Sequence, residues 1–129
     1  MNLISLETKL MMLKRLSLCA DLLKLFSDLK KQVKYAYKLT CSYCKHVSKN
    51  EYFLGDSDKN DVELLANDIK EIAVRFRKAS KKKNIKVFNR AMELLSRFKT
   101  EIKKSISELE SVIETEKCEY NYIGTGEEA

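Results

Sequence analysis

The sequence predicts an all-α fold, an antiparallel bundle of helices, and three observations carry that expectation. The 129 residues contain no proline and only three glycines, Gly55, Gly124 and Gly126. A sheet protein of this size needs many tight turns, which Gly and Pro normally supply. Apolar residues, Leu and Ile foremost, make up 44% of the chain, enough to bury a core in a single domain. They recur at spacings of three and four beside abundant Lys and Glu, the pattern of helices buried on one side. Four helices over about 2–17, 20–49, 59–80 and 85–117 follow, or three if the first two are continuous.

The first segment, residues 3–16, is apolar over most of its circumference. Leu3, Leu6, Leu10 and Leu13 lie on one side, while Ile4, Met11, Met12 and Leu16 point elsewhere. Such a helix is buried on several sides or meets a partner or membrane. At a helical period of about 100° per residue, Leu18, Cys19, Leu22, Leu25, Phe26, Leu29, Val33, Ala36, Tyr37 and Thr40 share one sector. Asp21, Lys24, Ser27, Asp28, Lys31, Lys34 and Lys38 lie opposite, forming a cationic outer face. An unbroken helix from residue 3 to 49 would be about 70 Å long, too long for a domain of this size. A break is therefore expected near Ser17–Asp21, in preference to Ser27–Asp28.

The stretch NEYFLGDSDKND, residues 50–61, reads as the main loop. Gly55 serves as its turn residue, Ser57 or Asp58 as the cap of the next helix, and Asp61 falls in the first turn. That helix shows Val62, Leu65, Ala66, Ile69, Ile72, Ala73 and Phe76 on one face, then reaches a connection around Ser80–Asn84. The last helix carries Phe88, Met92, Leu95, Ile102, Ile106, Leu109 and Ile113 as a coiled-coil-like a/d stripe, interrupted only by Lys99. Residues 1–118 thus form one helical domain, and residues 119–129 an acidic tail, ordered at most through Ile123. Tyr120-Asn121-Tyr122-Ile123 has the spacing of a tyrosine-based docking or phosphorylation site.

Charge is distributed in blocks. Residues 1–50 carry a net +7, residues 51–69 one Lys against six acids, residues 70–104 a net +10 and residues 105–129 a net −6. Blocks of this kind steer a molecule toward anionic partners unless neighbouring helices neutralise one another. The densest cationic run holds Arg75, Arg77, Lys78, Lys81, Lys82, Lys83, Lys86 and Arg90 around a helix–helix corner. Phosphates of nucleic acid or lipid headgroups bind such clusters by charge. Phe76 and Phe88 lie on core stripes there, poorly placed to stack on bases.

The seven residues TCSYCKH, 40–46, place Cys41, Cys44 and His46 at metal-ligand spacing. A zinc site needs a second close pair, and Cys19 and Cys118 stand apart, so no metal or cofactor is expected. The simpler reading makes the two cysteines small apolar groups at a helix end. Glycine-rich phosphate loops, the G-x-S-x-G elbow and H-E-x-x-H are all missing from the chain. The expected protein is therefore not an enzyme and has no small-molecule substrate.

Lys9, Lys14 and Arg15 break up the N-terminal apolar run, so neither a secretory signal nor a membrane span is read there. A cytoplasmic location is the expectation. The favoured function is an adaptor-like interaction module that binds a protein partner or itself through helical surfaces. Leu6, Leu10, Met11, Met12, Leu13 and Leu16 are its candidate interface. The alternative is an anionic-surface binder, for membrane lipid or nucleic acid, acting through the cluster at residues 75–90.

Overall fold

The computed structural model describes the backbone of residues 3–26, 30–51 and 54–128, and side chains within 3–25, 33–51 and 54–119. These residues form α1 (Leu3–Phe26), α2 (Lys30–Ser48), α3 (Asp56–Lys82) and α4 (Ile85–Glu128). Leu29, and the side chains of Phe26 and of the Tyr120–Ile123 motif, lie outside the described residues.

Each helix packs on its neighbours in chain order, α1 on α2, α2 on α3 and α3 on α4, and α4 returns to α1. Contacts between α1 and α3 close the diagonal, whereas α2 and α4 do not meet among the described residues. Directions follow from the ion pairs. Lys9 near the start of α1 reaches Asp58 and Asp61 near the start of α3, so those two helices run parallel. Glu7–Lys117, Lys14–Glu110 and Asp21–Lys99 step along α1 as they step backward along α4, so those two are antiparallel. The result is an up-down-up-down bundle.

The sequence misplaces the first break. Helix α1 passes without interruption through Ser17–Asp21 and ends at Phe26. Its 24 residues span about 36 Å, a length the bundle accommodates. The misplaced break also explains a wrong face. Treating residues 18–40 as one helix carries the phase of α2 back onto α1 and puts Leu18, Leu22 and Leu25 inside. In the fold Leu18 and Leu25 face outward, and the core stripe runs Met12, Leu13, Leu16, Cys19, Ala20 and Leu23. Within α2, Val33, Ala36 and Thr40 are buried as expected, and the stripe continues through Cys44 and Val47.

Helix α3 starts earlier than its carboxylates suggest. Gly55 occupies the N-cap with extended backbone and no side-chain cap, while Asp56 and Asp58 sit in the first turn, where the helix dipole favours negative charge. Before it, Asn50 holds the loop, its amide accepting from the Leu54 N–H at 2.9 Å and donating to the Leu54 carbonyl at 3.2 Å. All seven predicted stripe residues of α3 are buried. At the far end Lys83 takes the left-handed conformation, φ 51° and ψ 38°, and its N–H returns to the Ala79 carbonyl. Asn84 then caps α4, its side-chain oxygen accepting from the Val87 N–H at 3.2 Å. A Lys at that left-handed position costs about 1 kcal/mol that Gly would avoid.

Helix α4 continues past the expected end at Lys117, through the segment read as a tail, to Glu128. The core takes Phe98 rather than the strict heptad position 99, and Lys99 instead reaches Asp21 at 3.0 Å. A straight helix has 3.6 residues per turn, so a stripe of period 3.5 drifts off the core. No helix is long and apolar enough to cross a membrane among the described residues.

Candidate interaction surfaces

The up-down-up-down order places the last turns of α1 and α3 and the first turns of α2 and α4 at one end of the bundle. The predicted basic cluster therefore lies at a pole, and the fold narrows it. Arg75 pairs with Glu71 at 3.1 Å and Arg90 with Glu93 at 3.1 Å. The Arg77 guanidinium lies 4.7 Å from the centre of the Tyr37 ring, a cation–π contact that ties α3 to α2. The Nε atoms of Arg75 and Arg77 are buried without a hydrogen-bond partner, so both stems are drawn into the body.

Of the eight predicted residues, these three arginines are engaged within the bundle. Lys78, Lys81, Lys82, Lys83 and Lys86 are exposed and form no ion pair with another described residue. Lys34 of α2 joins them across a small hollow also lined by Val33, Arg77, Ser80 and Lys81. Phe76 and Phe88 meet edge to face at 5.8 Å and close the corner from inside, as their stripe positions predict.

The second predicted surface is corrected more deeply. Leu6, Met12, Leu13 and Leu16 are core residues and Leu10 is half-buried, which leaves Met11 as the exposed member of that set. A helix so evenly apolar hides most of its side chains once three neighbours surround it. What remains open is a different row. Ile4, Met11, Leu18 and Leu25 recur every seventh residue on the face of α1 turned away from the core. They extend over about 32 Å. The row is visible in the sequence at its spacing of seven, but the first, buried stripe of the same helix obscures it. Leu25 has a second role, because it shares the basic pole with exposed Tyr35 and Ile85.

A third feature is an open groove of about 560 Å³ between α1, α3 and α4. Leu13, Leu64, Leu65, Leu109 and Val112 give it an apolar lining, and Asp61, Asp68, Glu101 and Glu108 an acidic one. Burial, with Glu71 nearby, raises the Asp68 carboxyl above its usual value.

The TCSYCKH stretch closes α2. Cys44 is buried and its thiol donates to the Ala66 carbonyl at 2.9 Å, joining α2 to α3. Burial pushes this thiol up to about 12, with the Cys41 and Cys19 thiols adding to the shift. Cys19 is likewise buried and pushed up to about 11, a shift that a hydrogen bond with Thr40 moderates. Both thiols are thus buried among core side chains of α1, α2 and α3. His46 turns instead to Glu51. Among the described residues no three His, Cys, Asp or Glu side chains are grouped to hold a metal ion. The arrangement is that of structural thiols in a core. No family model, curated protein or solved structure matches the chain.

Proposed function

We propose that this chain is a non-catalytic interaction module that binds a helical protein segment, from a second copy or another chain, along the outer face of α1. The observation that carries the reading is the row Ile4, Met11, Leu18 and Leu25. Apolar knobs at a spacing of seven are what a packed partner helix accepts.

The test replaces Met11 and Leu18 together by Glu, at exposed positions where the bundle tolerates charge. Sedimentation velocity over a concentration series and co-purification from the native host should both show association lost, with an unchanged melting temperature. Identical sedimentation and identical co-purifying chains in wild type and variant would refute the reading.

A second reading, binding to an anionic surface, is favoured by the exposed Lys78, Lys81, Lys82, Lys83 and Lys86. Salt-sensitive retention on heparin, lost when Lys81, Lys82 and Lys83 become Glu, tests it.

A further inference from the structure

We infer that the basic pole of the bundle docks end-on onto an anionic lipid bilayer, its lysines on the headgroups and Leu25 and Ile85 in the acyl boundary. This rests on the anionic-surface reading above and names its ligand. The pole joins two properties that a solvated end of a bundle does not need together. Five lysines at the α3–α4 corner have no carboxylate partner among the described residues, and Lys34 adds a sixth charge from α2. The same end of the bundle carries two aliphatic side chains that the fold leaves in water, Leu25 at 71% and Ile85 at 73% exposure. Tyr35, also exposed, has the amphipathic ring that settles at headgroup level.

Lysine attraction alone would suit any polyanion. The aliphatic tips decide between polyanions. Leu25 and Ile85 have no ring to stack on a base, and Phe76 and Phe88 are paired with each other at the inner side of the corner. An aliphatic side chain gains free energy only by leaving water, which the acyl boundary of a bilayer offers and a phosphodiester chain does not. The backbone fits the same account. Lys83 holds a left-handed conformation where Gly would be strain-free, and so keeps a cation at the tip of the pole.

Magnitudes follow from the chemistry. A basic residue near a phosphatidylserine surface contributes about a fivefold gain in binding, so three lysines amount to roughly a hundredfold. Sedimentation with phosphatidylcholine vesicles and with mixed phosphatidylcholine–phosphatidylserine vesicles is the experiment. Wild type should bind the mixed vesicles alone, less well as salt rises. Neutralising Lys81, Lys82 and Lys83 to Gln should weaken binding roughly a hundredfold.

The pair Leu25→Ser and Ile85→Ser should weaken vesicle binding about tenfold or more while leaving heparin retention unchanged. The chain has no tryptophan, so Ile85→Trp supplies a single fluorophore whose emission should shift to the blue on the mixed vesicles. Equal binding to both vesicle types, or serine variants that bind as wild type does, or an unshifted Trp emission would overturn the assignment. Binding to heparin or RNA without binding to vesicles overturns the lipid assignment alone. Failure to bind any of the three overturns the anionic-surface reading with it.

Discussion

Proline at residue 18 tests where the chain turns for the first time. Leu18 lies in the middle of α1, within the Ser17–Asp21 stretch that composition alone suggests as a break, and it is 59% exposed. In an unbroken helix its amide donates to the Lys14 carbonyl. Proline removes that bond and drives its ring against the same carbonyl, at a cost of about 3 kcal/mol. The side chain's own packing must be subtracted, and Leu18→Ala supplies the reference, since Ala keeps the helix and loses the same contacts. The difference between the Pro and Ala variants should therefore be about 3 kcal/mol. Against a total stability of about 5–15 kcal/mol this is a large loss, and in a domain of this size it lowers the melting temperature by roughly 10–15 °C. Urea titration followed by circular dichroism at 25 °C, with equal m-values in both variants, measures it. A difference below about 1 kcal/mol would place residue 18 outside the helical hydrogen-bond ladder and refute a continuous α1.

Three further outcomes follow from the same geometry. Cys19 and Cys44 are acids whose pKa rises on folding, from 9.0 to about 11 and about 12, so their stability contribution is complete below pH 9 and falls as the pH climbs above it. By pH 10.5 each thiol costs about 2 kcal/mol, and thiol titration at pH 8 should find Cys118 open and these two closed until unfolding. Lys9→Met removes contacts of 3.2 Å to Asp58 and 2.9 Å to Asp61, at a cost of about 1–2 kcal/mol by chemical denaturation. Desolvation lowers the Lys9 pKa, but bonds to Asp61 and Asp58 outweigh it and raise it above 10.5, so this contribution too is lost as pH rises through the folded value. Lys83→Gly relieves the left-handed strain and should stabilise the bundle by about 1 kcal/mol while weakening mixed-vesicle binding about fivefold. A loss of stability in that variant would contradict the cap geometry.

Much of this molecule is legible in its sequence, and the failures share a cause. The stripe from Val62 to Phe76 was readable because α3 has one buried face and charges elsewhere. Helix α1 offered no such contrast, since it touches all three neighbours and is apolar almost throughout. Without Gly or Pro to mark the break, the periodicity of α2 runs backward onto Leu18 and Leu25 and hides the outward row. The basic cluster was legible as composition. Only the fold shows which of its members are occupied, because Arg77 finds Tyr37 from a distant part of the chain. At the N-cap of α3 three acidic or hydroxyl residues compete as starting points, and local propensity does not rank Gly55 above them.

The ion pairs between α1 and α4 have a meaning beyond their strength. Each is at least half exposed on one side and contributes under about 1 kcal/mol. Their signs alternate along α1, with Glu7, Lys14 and Asp21 facing Lys117, Glu110 and Lys99. Sliding α4 by one heptad would set Lys14 against Lys117 in one direction and Glu7 against Glu110 in the other. Either slide loses all three attractions and brings at least one pair of like charges together. The three weak contacts thus act as a vernier that favours one alignment of two long helices.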